Sequence, residues 1–197
     1  NIAIDNGWGG ELKSEDGDYL MVVDANLGAL KTDASLNRSL KYEVNQGVNG
    51  LFSKLTIGYA HHGKADWKTS AYKSYTRIYA PLGSQLIKIS GYEPSQIEVG
   101  SELGKTWFGF YLEVQPGEIK NLTIEYKLPA LAFTPKNYAF YLQKQPGKEI
   151  NEAIVDLSFL NDIKSYSPTS LATEKVNPTR LRSEGDLSID RGYQIEL

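Results

Sequence analysis

Residues 105–128 read KTWFGFYLEVQPGEIKNLTIEYKL, and this stretch decides the fold class. Apolar side chains recur at every second position from Phe108 to Val114, and again from Leu122 to Leu128. A period of two is typical of a strand that buries one face and exposes the other to water. Between the two runs, Pro116-Gly117 fits a type II turn, because Pro fixes φ and Gly accepts a positive φ. The stretch therefore predicts two antiparallel strands joined by a tight turn.

The same alternation and turn chemistry recur along the chain. Asn49-Gly50, Pro81–Gly83 and Pro146-Gly147 separate further alternating runs. Predicted strands cover residues 18–24, 36–46, 51–60, 75–80, 84–90, 96–99, 105–114, 119–128, 137–145 and 150–160, with a C-terminal pair near 186–197. Residues 161–185 are polar and show no clean period, which predicts a surface excursion.

These strands indicate an all-β protein. About seven of them fall within residues 35–130, which is the number of strands expected of an immunoglobulin-like antiparallel β-sandwich of this length. We expect strands from both chain ends to extend this core, so that residues 1–197 form one continuous β-sandwich unit. The alternative is an immunoglobulin-like sandwich over 35–130 with a second β layer formed by 15–34 and 137–197. Its linker would be 128–134, which contains Pro129.

Composition excludes several functions. The chain carries 21 Lys+Arg against 24 Asp+Glu, so bulk charge does not favour nucleic acid. The absence of Cys excludes disulfides and thiolate chemistry, and two His residues exclude a multi-histidine metal centre. No cofactor is predicted. No apolar run approaches the ~20 residues of a spanning helix, so we expect membrane contact only through an anchor on a parent protein. The Asn1 start suggests a processed product or an excised fragment.

Residues 64–79 interleave basic and aromatic side chains. Basic groups beside ring faces can hold sugars or anionic polymers by charge and stacking. The predicted ligand-binding residues are Trp67, Lys68, Tyr72, Lys73, Tyr75 and Arg77, and Trp107 is a further candidate ring. In the alternative interpretation, Tyr75, Arg77 and Tyr79 simply share one face of a strand, and Trp67 and Tyr72 pack the preceding loop.

Metal and catalytic signals are weak. Asp16-Gly17-Asp18 could offer oxygens to Ca²⁺, but the spacing of an EF-hand loop is absent, and a turn before the next strand explains these residues equally well. His61-His62, with Asp66, is interpreted as a solvated loop. Neither a G-x-S-x-G elbow nor a phosphate-binding glycine loop occurs. We therefore predict that the protein is not an enzyme.

Several short sequence segments, taken together, resemble those of a known family. In order they are DYLMVVDANLG at 18–28, KTD at 31–33, ADW at 65–67, Tyr72, YTRIYAP at 75–81 with Gly83, GKTWFG at 104–109, PGE at 116–118, LTIEYKLP at 122–129 and YLQKQPG at 141–147. Over about residues 15–165, the chain resembles the C-terminal β-rich region of a domain-of-unknown-function family. The members of that family are membrane-anchored cell-envelope proteins of Gram-positive and candidate-phylum bacteria. The resemblance implies an extracytoplasmic, cell-surface location and transfers no catalytic residue.

Three functions follow as expectations. The first is a non-catalytic, extracytoplasmic β-sandwich module that acts in adhesion, assembly or envelope scaffolding, with another surface protein or a polysaccharide as partner. The second is a carbohydrate-binding module that uses the aromatic and basic surface to hold envelope polysaccharide. The third is an accessory domain of a glycan-processing enzyme, which would need a close pair of carboxylates in a cleft. The oligomeric state does not follow from the sequence.

Overall fold

The protein is built almost entirely from strands. The computed structural model describes residues 10–14, 16–28, 31–64, 69–93, 96–168 and 172–197. The strands are β1 (Asp18–Asn26), β2 (Leu36–Gly47), β3 (Gly50–His61), β4 (Tyr72–Pro81), β5 (Gln85–Ser90), β6 (Glu98–Glu102), β7 (Lys105–Val114), β8 (Ile119–Lys127), β9 (Asn137–Gln143), β10 (Glu152–Ser158), β11 (Ser165–Ser167), β12 (Ala172–Asn177), β13 (Arg180–Gly185) and β14 (Arg191–Glu196). Short 3₁₀ turns occupy Lys31–Ser35 and Ala130–Ala132. No helix in the described ranges is long and apolar enough to cross a membrane.

The strands form two packed sheets of seven strands each. The first sheet has the order β11-β14-β9-β1-β4-β7-β6, and the second has the order β12-β13-β10-β2-β3-β8-β5. The predicted all-β class is confirmed. An immunoglobulin-like antiparallel sandwich is not confirmed, because β1 pairs in parallel with β9 and β2 in parallel with β10. Strands that follow residue 130 thus join the sheets begun by β1 and β2, and each sheet is mixed.

Alternation of side chains explains which face each strand buries. In the β2–β3 hairpin the register runs from Leu36 opposite His61 to Gly47 opposite Gly50. Burial alternates along β2, so the even-numbered residues from Leu36 to Val44 point between the sheets. Gly50 has a φ of +121°, which a side chain would oppose, and it closes the turn. The period-two pattern in the sequence is therefore the pattern of contact with the opposite sheet.

The prediction of a surface excursion over 161–185 is wrong. This stretch contains β11, β12 and β13, and β13 pairs with β10 along its whole length. Only Leu181 among the residues of β13 is an apolar side chain in the core. The edge strand β12 is exposed at nearly every position. Because neither strand alternates apolar with polar residues, the sequence carries no strand signal here.

The space between the sheets contains aliphatic side chains and several aromatic rings. Six tyrosines there are almost fully buried, namely Tyr42, Tyr59, Tyr72, Tyr126, Tyr138 and Tyr193, whereas Tyr19 is buried on the outer face of the first sheet with Met21 and Tyr79. Buried phenol groups need hydrogen-bond partners, and two acids on the inner face of β1 supply several of them. Tyr42 and Tyr138 donate to Asp18 at 2.7 and 2.5 Å. Tyr59 donates to Asp24 at 3.0 Å. The core therefore contains an acid-centred polar cluster near each end of β1.

Candidate functional site

The predicted ligand-binding residues divide between the two faces of β4. Tyr72 is fully buried and points into the core, so it is not part of a binding surface. Lys73, Tyr75 and Arg77 point to the outer face of the first sheet. Trp67 and Lys68 lie outside the described residues. The structure thus brings Tyr75 and Arg77 together and separates Tyr72 from them.

Tyr75 and Arg77 belong to a larger cluster on that face, which we call the outer patch. It comprises Tyr75 and Arg77 on β4, Trp107 and Tyr111 on β7, and Glu98 and Glu102 on β6. Tyr75 pairs with Tyr111 across the β4–β7 ladder. The β6–β7 ladder adds the two glutamates at its own outer face. Three neighbouring strands therefore position the six side chains.

Two glycines let the indole of Trp107 lie along the sheet. A Cβ atom at Gly100 would come within 2.6 Å of Cε2 of the indole, and a Cβ atom at Gly109 would come within 2.9 Å of Cζ3. Contacts this short do not occur between real atoms, so any side chain at either position would displace the ring. Glycines inside strands often mark such a close approach. The indole of Trp107 therefore packs directly against the backbone at Gly100 and Gly109.

Arg77 is held against the rings by both stacking and charge. Its guanidinium carbon lies 4.4 Å from the centre of the Trp107 ring and 5.4 Å from the centre of the Tyr75 ring. Nη1 donates to Oε1 of Glu102 at 2.7 Å. The hydroxyl of Tyr75 donates to Glu98 at 2.6 Å, and partial burial together with this bond raises the pKa of Tyr75. Hydrogen bonds thus fix Nη1 of Arg77 and the hydroxyl of Tyr75, whereas the buried Nε of Arg77 has no hydrogen-bond partner among the described residues.

Charge on the outer face is balanced rather than basic. Arg77 is paired with Glu102, and Lys73 lies 3.6 Å from Glu113. Because both described cations among the predicted ligand-binding residues lie near a carboxylate, the field that they would offer to a polyanion is weak. The described part of the predicted surface is therefore aromatic and balanced in charge, while Trp67 and Lys68 lie outside the described residues.

The rings differ in exposure and orientation. Tyr111 is 60% exposed, whereas Trp107 and Tyr75 are partly covered. The Tyr75 and Tyr111 ring centres are 4.9 Å apart with planes tilted by 59°, so they are not a coplanar pair. In the outer patch, the Trp107 ring lies against the backbone of the sheet, and the Tyr75 and Tyr111 rings are tilted relative to each other. This shape and the fixed polar groups suit a flat ligand that has both apolar faces and hydrogen-bonding edges.

The structure does not bring the two predicted calcium ligands together. Asp16 is exposed, whereas Asp18 is fully buried and points between the sheets. Oδ2 of Asp18 accepts from Tyr42 and Tyr138, and Oδ1 accepts from the backbone N–H of Tyr19. Within the described ranges, no three His, Asp or Glu side chains gather as a metal site.

His61 is also not in a solvated loop. It is the last residue of β3, it is only 1% exposed, and its Nδ1 accepts from the N–H of Gly63 at 3.1 Å. Its Nε2 therefore carries the hydrogen that reaches the carbonyl oxygen of Ser70, 2.9 Å away. Asp66 lies outside the described residues. His61 thus ties the end of β3 to the segment before β4.

Sequence reasoning missed half of the outer patch. Trp107 was a candidate ring, but Tyr111, Glu98 and Glu102 were not among the predicted residues. One signal was present, because Trp107, Gly109 and Tyr111 alternate with the apolar inner face of β7 and must share its outer face. Which strand lies beside β7 depends on long-range pairing, which this alternation does not specify.

Comparison with known proteins identifies a similar fold. The sequence matches no protein-family model. It matches no curated protein sequence. A crystal structure of a candidate nutrient-binding protein from Legionella pneumophila has a TM-score of 0.56 at 7% identity, covering 92% of this chain and 72% of that one. At this identity the likeness concerns the fold alone.

Two peptidase structures are more distant. A two-domain M1 zinc metallopeptidase has a TM-score of 0.38 at 12% identity, covering 82% of this chain and 43% of that one. Legionella pneumophila aminopeptidase A has a TM-score of 0.34 at 7% identity, covering 88% of this chain and 22% of that one. The chain therefore spans less than half of each peptidase, and neither likeness carries a functional argument.

Proposed function

We propose that this protein is a non-catalytic binding module whose outer patch holds an uncharged carbohydrate chain. The observation that carries the proposal is the arrangement of Trp107, which lies over Gly100 and Gly109 with Arg77 stacked against it. A sugar ring presents C–H groups on its faces and hydroxyls around its edge. The exposed ring of Tyr111 can contact these faces, since Arg77 already covers Trp107, while guanidinium and carboxylate groups bind the hydroxyls.

Pre-organisation supports this proposal. Arg77 is fixed by Glu102, and Tyr75 by Glu98, before any ligand arrives. Side chains that are already ordered lose little conformational entropy on binding, so more of the contact energy contributes to affinity. Glu98 is exposed, and its remaining lone pairs can accept from sugar hydroxyls.

The balance of charge favours a neutral sugar over a polyanion. Arg77 and Lys73 are each matched by a glutamate, and Glu98 adds a further negative group. Binding to this patch should therefore depend little on ionic strength. The wider context of the proposal is an extracytoplasmic module of a cell-surface protein, with adhesion or envelope scaffolding as its role.

Calorimetric titration of the chain with neutral oligosaccharides tests the proposal. We compare the wild type with Tyr111→Ala, because Tyr111 is 60% exposed and its loss should leave the fold intact. The control is Leu131→Ala, since Leu131 is 93% exposed and lies outside the outer patch. We expect Tyr111→Ala to weaken binding at least tenfold, and Leu131→Ala to bind as the wild type does.

Two outcomes would contradict the proposal. One is the absence of saturable binding across linear and branched neutral oligosaccharides at concentrations of tens of millimolar. The other is binding that survives Tyr111→Ala unchanged, which would place the ligand elsewhere on the chain.

A further inference from the structure

A polar cleft opens at one end of the sandwich, away from the outer patch. Its volume is about 420 Å³, within the range of small-molecule sites. The 3₁₀ turn Lys31–Ser35, the first residues of β2 and the 144–151 segment between β9 and β10 form its walls. Its polar lining includes Asn37, Arg38, Lys144, Lys148, Glu149 and Asn151. The cleft is large enough for a compound the size of a monosaccharide or a small organic acid.

Arg38 is the buried element of this cleft. It occupies an inward position on β2, and its side chain is only 6% exposed. Nη1 donates to Oδ2 of Asp24, which itself accepts at Oδ1 from Tyr59 and Thr76. This pairing fixes the plane of the guanidinium. Among the described residues, none accepts a hydrogen bond from Nε or Nη2 of Arg38.

A buried guanidinium with two unused donors has a specific chemical complement. Nε–H and one N–H of Nη2 are parallel and match the two oxygens of a carboxylate or phosphate. Neither donor atom is among the fully buried polar atoms that have no partner, so both are open to water in the cleft, and a ligand oxyanion can replace that water. Because Arg38 also lines the cleft, a ligand oxyanion that enters from solvent can supply the missing acceptors.

The rim of the cleft adds further donors. Lys144 donates to the carbonyl of Ser188 at 2.7 Å, and Lys148 pairs with Asp33. Each ammonium has three N–H groups, so both lysines keep donors for a ligand. The side-chain amides of Asn37 and Asn151 form no hydrogen bond with any other described residue.

Three carboxylates of the described residues lie at the cleft, and two of them pair with its cations, Asp24 with Arg38 and Asp33 with Lys148. Burial alone would raise the pKa of Asp33, but hydrogen bonds from Lys148 and Asn26 hold it below the usual value. Asp33 is therefore an ion-pair partner rather than a free charge. Glu149 is exposed at the rim and is the lining carboxylate that would repel an anion.

We propose that this cleft binds a ligand through a carboxylate or phosphate group, which the free edge of Arg38 receives, with Lys144 and Lys148 beside it. The site is distinct from the outer patch in its residues, its place in the fold and the charge of its ligand. The inference therefore goes beyond the proposed function and does not depend on it.

Proton-detected NMR of the full chain tests this inference directly, since the Nε–H group of a buried arginine gives its own signal. Inorganic phosphate, glucuronate and glucose are titrated separately. A saturable shift of the Arg38 Nε–H signal with phosphate, glucuronate or both supports the site and identifies the source of the oxyanion. No saturable shift with either anion, or an equal shift with glucose, overturns it.

Matched variants show whether the bound anion occupies the cleft. The double variant Arg38→Met with Asp24→Asn removes both buried charges together and so avoids an unpaired acid. We expect it to bind the anion about tenfold more weakly than the wild type does, as measured by calorimetry.

Lys144→Ala should also weaken binding, and it keeps the test available if the double variant does not fold. Glu149→Gln should strengthen binding several-fold, because it removes a repulsive charge. Affinities that stay unchanged in Lys144→Ala and Glu149→Gln would contradict the site.

Discussion

Asp18 and Asp24 point from the same face of β1 into the space between the sheets, but only Asp24 meets an arginine. Asp24 is paired with Arg38, whereas the side-chain oxygens of Asp18 accept from tyrosine hydroxyls and one backbone N–H. Burial dominates at Asp18 and raises its pKa to about 7, although the hydrogen bonds from Tyr138 and Tyr42 oppose the shift. The two acids of one strand are therefore stabilised in different ways.

Asp18 should make the stability of the fold depend on pH. Its pKa is about 7 in the folded state against 3.8 for an unperturbed side chain, so between these values only the folded state keeps the proton. The contribution of Asp18 to the free energy of unfolding is present below pH 4 and is lost as the pH rises through 7. The loss is on the order of 4 kcal/mol, since each pKa unit corresponds to about 1.4 kcal/mol. Urea unfolding from pH 4 to pH 8 should show this decline, and Asp18→Asn should remove it.

A second acid provides the control for this prediction. Hydrogen bonds from Ser188 lower the pKa of the exposed Asp186. The contribution of Asp186 is therefore present above its usual pKa and is lost as the pH falls through the lowered value, which is the opposite direction. Asp186→Asn should leave the decline between pH 4 and 7 in place. If Asp18→Asn keeps that decline too, another group is responsible for it.

Arg38→Ala should destabilise the protein strongly. It leaves the carboxylate of Asp24 fully buried without its cation, and breaking a buried ion pair in this way costs about 3–5 kcal/mol. The control is Lys73→Ala, which removes one member of an exposed pair with Glu113 and should cost less than about 1 kcal/mol. Urea unfolding measures both. Equal losses in the two variants would show that Arg38 contributes no more than a surface charge.

Much of the fold can be predicted from the alternation of apolar and polar residues. The strands and pairings that this pattern does not predict have a physical cause. Strands such as β7 and β8 follow from the sequence because one face of each contacts the opposite sheet. β12 could not be predicted, since it is an exposed edge strand with no apolar face to bury. The parallel pairing of β1 with β9 is also absent from local patterns, because it joins residues far apart in the chain.

The same reasoning applies to the candidate sites. Tyr75 and Arg77 could be placed on one face because they alternate within a single strand. Their contacts with Trp107 and Glu102 depend on which strands are neighbours, so these contacts were not predictable. Arg38 did carry a local signal, because it stands between Leu36 and Leu40 at positions that otherwise bury apolar residues. A cation in such a series indicates a buried partner or a site.

Arg191→Met should stabilise the protein. Arg191 points between the sheets and is only 6% exposed, and its Nη1 has no hydrogen-bond partner among the described residues. An unsatisfied buried polar group costs about 1–3 kcal/mol, which an apolar side chain of similar length avoids. The control is Arg180→Met, because Arg180 donates to the buried Asp156 at 2.7 and 2.5 Å and its loss should destabilise. A lower free energy of unfolding in Arg191→Met would indicate that Arg191 has a favourable partner.

Gly109→Ala should disturb the outer patch without removing any of its functional groups. The new methyl group would overlap the hydroxyl of Tyr75 and lie 2.9 Å from Cζ3 of Trp107, so both rings must move, and their contacts with Arg77 change. Overpacking of this kind costs about 1–3 kcal/mol, and we expect oligosaccharide binding to weaken as the ring is displaced. The matched control is Gly192→Ala in β14, where the nearest atom is Cδ2 of Tyr141 at 3.7 Å and a methyl group fits. Urea unfolding and calorimetric titration of both variants check the prediction. Gly109→Ala with the stability and affinity of Gly192→Ala would show that the positions of the Tyr75 and Trp107 rings matter neither to the fold nor to the ligand.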